Sequence, residues 1–148
     1  LEIVDKGKVI IEGQEIDYNN EKQAAKARSK MGFVFQNAQM LKTLTILDNI
    51  ILPGLVAGEE DADIIRKRAV DLMEQMGISQ IADRDIRKVS GGQLQRASIC
   101  RAMINNPEVL FMDEPTGALN SEATEQVLEI LKKLIINSIS RFMFFNIF

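Results

Sequence analysis

Apolar side chains recur along this chain at two spacings, and each spacing predicts its own kind of element. Val109-Leu110-Phe111-Met112 is an unbroken apolar run between Pro107 and Pro115, the pattern of a strand buried on both faces of a parallel sheet. Met31-Gly32-Phe33-Val34-Phe35 reads as a second buried strand that delivers Gln36 at its end, and Lys8 to Glu12 (KVIIE) as a short strand turning at Gly13-Gln14. Helical spacing governs the rest. Asn20, with Gln23 three positions on, caps an Ala-rich polar helix that runs to about Ser29. Thr43 or Thr45 caps a helix that Pro53-Gly54 ends. Asp61 to Met76 reads as an amphipathic helix with Ile64, Ile65, Ala69, Leu72, Met73 and Met76 on one face, and Gly77 at its C′ position. A helix from Gln93 to Asn105 carries Leu94, Ala97, Cys100 or Ile99, Met103 and Ile104 toward a core. Ser121 caps a last helix whose stripe is Val127, Leu128, Leu131, Leu134 and Ile135 and which reaches about Ile136. Short apolar strands alternating with amphipathic helices predict an α/β fold.

Two short segments within this pattern carry candidate chemistry. Ser90-Gly91-Gly92-Gln93 opens the Gln93 helix: Ser90 stands at the N-cap, and Gln93 completes a capping box of the S-x-x-Q type. Glycines beside a helix N-terminus let a bulky anion approach free backbone N–H groups, which the positive end of the helix dipole favours. Asp113-Glu114 closes the 109–112 strand, at the end where open α/β sheets bind ligands. Alternation along a strand points two adjacent carboxylates different ways. One then suits Mg²⁺ as a hard oxygen ligand, and the other suits a nucleophilic water as its base. Taken singly, the first segment is equally well a capped helix behind a glycine turn, and the second is more simply a solvated acidic turn.

In order, VSGGQ, the VLFM-DE run and PTGALN resemble three motifs of the ATP-binding cassette (ABC) family of ATPases. The resemblance makes Ser90, Gly91, Gly92 and Gln93 the signature loop that touches the γ-phosphate of ATP held by a partner subunit. It makes Asp113 the carboxylate on the magnesium side and Glu114 the catalytic base. Pro115 to Asn120 is similar to the D-loop, with Asn120 where an aspartate is usual. MGFVFQ resembles the strand that ends in the Q-loop, and Gln36, 54 positions before Ser90, is then the glutamine that bonds the magnesium or the attacking water. Residues from about 37 to 89 correspond to the helical subdomain that docks the cytoplasmic coupling helices of the permease. TLTILDNIILPGLVAG most resembles the branch that energises lipoprotein release and antimicrobial-peptide or macrolide efflux. The resemblance covers roughly Lys8 to Ile136. It implies a P-loop NTPase-like core with a helical subdomain, ATP and Mg²⁺ as cofactors, a second ATPase subunit in a homo- or heterodimer, and transmembrane permease subunits. It also implies a cytoplasmic protein held at the cytoplasmic face of the membrane.

Composition narrows this picture. The 148 residues fit one ordinary domain, with 46% hydrophobic residues to fill a core. The 21 acidic and 18 basic residues leave a net charge of −3 with Lys and Arg dispersed, so no nucleic-acid partner is expected. Relatives that act on DNA separate Gln36 from the signature by long coiled coils, and ribosome-associated relatives carry two cassettes; neither pattern is present. The single cysteine, Cys100, falls on an apolar helix face and reads as core, in keeping with a reducing cytosol. The apolar runs are shorter than the roughly 20 residues that cross a bilayer.

Three departures from the family pattern shape the expectation further. No G-x-x-x-x-G-K-[ST] loop occurs, since Gly7-Lys8 is followed by Val9, and the sequence holds no histidine to act as the γ-phosphate switch. The family continues after the last helix with another buried strand, whereas SRFMFFNIF reads as an exposed, adhesive end. The chain therefore reads as a partial ABC ATPase domain truncated at both ends, inactive by itself. A non-catalytic truncated interaction fragment, or an ABC ATPase acting on DNA or ribosomes, is the alternative.

Overall fold

The computed structural model describes residues 10, 11, 14–17, 19–113 and 141–145, together with residues 125, 129 and 132. Strands β1 (Ile10–Ile11) and β2 (Gln14–Glu15) pair antiparallel, so Ile10 and Ile11 of the expected KVIIE strand are extended, while its other residues and Gly13 of the turn lie outside the described residues. Helix α1 (Glu21–Ser29) starts where the sequence places it: the Asn20 side chain accepts from the Gln23 N–H at 3.3 Å. Ala24 and Ala27 are its buried positions.

The main sheet has three parallel strands, β3 (Met31–Val34), β4 (Val109–Asp113) and β5 (Arg141–Phe145), in the order β3-β4-β5. β4 is central. Its Leu110 and Met112 are buried while Val109, Phe111 and Asp113 are half-buried, so only one of its two faces is fully covered. β3 departs further from the expected buried run, because Phe33 is 41% and Phe35 38% exposed. Their rings stack on each other and Phe33 stacks on Phe111 at 4.9 Å, which shields this face in part. β5 corrects the reading of the SRFMFFNIF end. Arg141 to Phe145 lie in register beside Val109 to Asp113, so this segment supplies the next parallel strand. A continuous run of large apolar residues and pairing with the central strand override the look of a loose end. Glu125, Glu129 and Lys132 are helical, and the expected stripe from Val127 to Ile135 lies outside the described residues.

Helix α2 (Ile46–Ala57) is capped by Thr45, whose hydroxyl oxygen accepts from the Asp48 N–H at 3.1 Å. It does not end at Pro53-Gly54 as expected. Gly54 is buried so closely against the next helix that a Cβ there would stand 2.8 Å from Ile65 Cγ2. That packing holds the turn containing Pro53 in place, and the helix stops instead at Gly58, whose φ of 66° is the left-handed conformation glycine favours. Helix α3 (Ala62–Gln75), capped by Asp61, buries Ile65, Ala69, Leu72 and Met73. Ile64 was expected on this face but is 54% exposed, because a stripe spaced 65, 69, 72, 73 leaves position 64 on its rim. Gly77 follows as the C′ residue with φ 65°.

Two 3-10 turns, Ser79–Ile81 and Ile86–Lys88, then lead into helix α4 (Gly91–Met103). This helix starts two residues earlier and ends two earlier than its pattern suggests. Ala97, Ile99, Cys100, Met103 and Ile104 are buried, with Leu94 half-buried. α4 is wedged between β3 on one side and α2 and α3 on the other, so one apolar cluster runs from Val34 and Met112 of the sheet through Ile99 to Ile50, Ile65 and Met73. Each such buried aliphatic side chain contributes about 1.5–3 kcal/mol. That continuity ties the strand ends to the start of α4.

Candidate functional site

The register of the sheet decides which candidate residues meet. Val34 pairs with Met112, so Phe35 lies level with Asp113 and Gln36 follows immediately at the same edge. The parallel strands of a sheet stand about 4.8 Å apart, which makes Gln36 and Asp113 neighbours at the C-terminal edge. Asp113 is half-buried, whereas Gln36 is exposed. Asp113 shares its strand face with Phe111, while Leu110 and Met112 face the other way, toward the core. No group of three acidic, Cys or His side chains able to cage a metal occurs among the described residues. One carboxylate and one amide oxygen suit Mg²⁺, which is ordinarily held by one or two carboxylates together with phosphate oxygens and water.

Ser90 and its neighbours form the second part. The Ser90 hydroxyl oxygen accepts from the Gln93 N–H at 3.2 Å, and Gln93 Oε1 accepts from the Ser90 N–H at 3.0 Å, completing the expected capping box. Helix geometry leaves the N–H groups of Gly91 and Gly92 without a carbonyl one turn back. Ser90 and Gly91 are exposed, and a Cβ added at Gly91 would meet no atom of the described residues within 4 Å. Packing inside the chain therefore gives no reason for a glycine there. The space in front of the helix start is open to an anion. Ser90 and Gln93 bond to each other across the first turn of the helix. Glu114 and Asn120 lie outside the described residues.

Sequence reasoning passed over two side chains that shape this region. Asn49, buried in α2, accepts from the Leu41 N–H at 2.7 Å and donates to the carbonyls of Leu41 at 3.1 Å and Thr45 at 2.9 Å. Arg101 of α4 donates to the carbonyls of Ala38 at 2.7 Å and Gln39 at 2.9 Å. A polar residue within ILDNIIL and an arginine within the apolar SICRAMI segment are the signals that point to them. Burial pushes the Arg101 guanidinium below its ordinary pKa. Burial likewise pushes the Cys100 thiol up, which makes it the inert core residue that its place on the helix predicts. A cavity of about 270 Å³ lined by Gly54, Ala57, Glu59, Glu60, Asn105 and Asn106 contains none of the site residues.

A parallel sheet whose strands deliver an amide and a carboxylate to one edge, joined through a helical insert to a capped helix, defines an α/β protein of the P-loop NTPase type. The chain belongs to the ABC transporter family, whose pattern it matches over residues 1–117. It is 40% identical over 135 residues to the lipoprotein-releasing system ATP-binding protein LolD of Aquifex aeolicus, covering 90% of this chain and 60% of LolD. It is 41% identical over 125 residues to the macrolide export ATP-binding/permease protein MacB of Syntrophobacter fumaroxidans, covering 83% of this chain and 18% of that one. Among solved structures it is similar to the ATP-binding cassette MJ0796, seen as a dimer in a post-hydrolysis state with ADP and Pi. The TM-score is 0.81 at 32% identity, over 95% of this chain and 62% of MJ0796. The chain thus spans about three fifths of the length of LolD. No helix among the described residues is long and apolar enough to cross a membrane.

Proposed function

We infer that the chain is part of the ATP-binding, ATP-hydrolysing subunit of an ABC transporter, coupling hydrolysis to export of a substrate across a membrane. The observation that carries the reading is the convergence of Gln36 and Asp113 at one sheet edge, with the Ser90 helix start open to solvent. ATP with Mg²⁺, when bound, would supply the phosphoanhydride bond that is broken and a metal ion to balance the charge of the phosphates. Asp113 would hold the magnesium side as a hard oxygen ligand. Gln36 orients the magnesium or the attacking water from the neighbouring strand, and Glu114 accepts the proton of that water. Ser90, Gly91, Gly92 and Gln93 receive the γ-phosphate of nucleotide bound to a second ATPase subunit, with backbone N–H groups as donors. Asn120 contributes across the same dimer interface.

The unit of residues 37–89 docks transmembrane permease subunits, which places the protein on the cytoplasmic face of the membrane. The likeness to LolD and MacB supports the export branch. The dimeric form of MJ0796 supports the second subunit. A net charge of −3 supports the expectation that no nucleic acid takes part. Single-turnover hydrolysis by the full-length protein tests the assignment. Glu114→Gln is expected to lower the rate by about 10²–10⁴-fold, the usual worth of a general base, while ATP stays bound. Hydrolysis by that variant at the parent rate removes Glu114 from the role of base.

A further inference from the structure

Residues 37 to 45 join Gln36, two residues beyond the end of β3, to the first helix of the insert, and side chains of two helices hold them. Arg101, in the last turn of the helix that begins at Ser90, spreads its guanidinium across two successive carbonyls: Nη2 to Ala38 at 2.7 Å and Nη1 to Gln39 at 2.9 Å. Nη1 also stands 3.7 Å from the sulfur of Met40. A planar fork matches two adjacent acceptors in a way a lysine ammonium does not. Gln39 takes a φ of 43°, a left-handed conformation uncommon for a residue other than glycine, so the carbonyls are presented to Arg101 by a backbone held out of its ordinary range. On the far side Asn49 grips both the N–H and the carbonyl of Leu41. The segment is thereby fixed to α2 and α4 within two residues of Gln36, and Phe35 to Asn37 are exposed.

We propose that Arg101 is a positioning residue for the hydrolytic step: it ties the segment after Gln36 to the helix that begins at Ser90, so that Gln36 and the Ser90 loop are set by one rigid body. A shift of the Ser90 helix on engaging a phosphate is then transmitted through residues 38–41 to Gln36, at the edge beside Asp113. Arg101 itself touches neither nucleotide nor water. Its partners are backbone carbonyls, so the coupling depends on the shape of the guanidinium rather than on its charge alone. The inference rests on the ATPase reading above.

The test uses Arg101→Lys, with Arg101→Gln as a second variant, each alone and combined with Gln36→Ala in the full-length protein. Amide hydrogen exchange is expected to quicken across residues 37–45 and to stay at the parent level in Ala62–Gln75. The kcat is expected to fall roughly ten- to a hundredfold, the scale on which a misplaced catalytic group acts, with KM for Mg-ATP little changed. Added to Gln36→Ala, either Arg101 substitution is expected to cost nothing further, because both changes remove the same placement. Unchanged exchange in residues 37–45 overturns the tether. Losses that multiply in the double variant overturn the action through Gln36 and leave a purely structural arginine. A parent protein that hydrolyses no ATP overturns the ATPase reading and this coupling with it, and the exchange result tells that outcome apart from a failure of Arg101 alone.

Discussion

Ser90 separates a structural helix cap from a phosphate contact, because one substitution preserves the first and destroys the second. In the folded chain its hydroxyl oxygen accepts from the Gln93 N–H at 3.2 Å at the exposed start of a 13-residue helix. Ser90→Asp keeps an acceptor at the N-cap, where Asp ranks with Ser, and adds a negative charge at the positive end of the helix dipole. That charge contributes about 0.3–1 kcal/mol of stability, so Tm is expected to stay level or rise by up to roughly 4 °C. The same carboxylate about 4 Å from a phosphate oxygen costs about 4 kcal/mol at an effective dielectric of 20, a loss of roughly 10³-fold in ATP-driven dimerisation. Ser90→Asn keeps the cap without the charge and isolates the electrostatic part. The assay pairs thermal melting with sedimentation of the full-length protein in the presence of Mg-ATP. Dimerisation of Ser90→Asp at parent nucleotide concentrations refutes the phosphate contact, and a Tm several degrees below parent refutes the cap.

A Cβ at Gly32 would come within 2.6 Å of both the Ala102 carbonyl oxygen and Leu110 Cδ1. Because a backbone oxygen cannot swing aside, Gly32→Ala is expected to cost about 2 kcal/mol and lower Tm by roughly 4–8 °C; a melt matching the parent shows that β3 and α4 are not packed so closely. Glu60 receives a two-pronged bond from Arg68, at 2.6 and 2.7 Å, which lowers its pKa from the ordinary 4.5. A lowered folded-state pKa means the contribution is complete above 4.5 and lost as the pH falls through the lower folded value. Glu60→Gln should therefore be less stable than parent at neutral pH and converge with it in acid; parallel Tm-versus-pH curves contradict this. The isolated 148-residue chain, which holds no G-x-x-x-x-G-K-[ST] loop, is expected to bind ATP far more weakly than full-length relatives, and micromolar affinity by calorimetry contradicts that.

Local chemistry made part of the molecule legible before the structure. The caps at Asn20 and Ser90 are read correctly, and Thr45 is one of the two threonines offered for its helix, because a short acceptor and an N–H three residues on are all that they need. The stop at Gly77 is equally local. What escaped depends on partners distant in the chain. Pro53 is carried through α2 because Gly54 is pressed onto Ile65, and no window around Pro53 contains that information. Arg141 to Phe145 become a strand because β4 offers an open edge to them. At the site, the residue types and order in SGGQ and at Asp113 suffice to suggest phosphate chemistry. The grip of Arg101 and Asn49 on residues 38–41 spans about half the chain and emerges only once α2, α4 and β3 are packed together.

The central claim is that the C-terminal edge of the sheet is a magnesium-nucleotide site with Asp113 on its metal side. Equilibrium binding of ATP to the full-length protein, measured with and without Mg²⁺ for parent and Asp113→Asn, tests it directly, since this variant keeps the shape of the side chain and removes its charge. The account predicts that Mg²⁺ tightens ATP binding in the parent, that Asp113→Asn loses most of this gain, and that the two proteins bind metal-free ATP alike. Equal gains from Mg²⁺ in both would contradict it and return Asp113 to the role of a solvated carboxylate at a strand end.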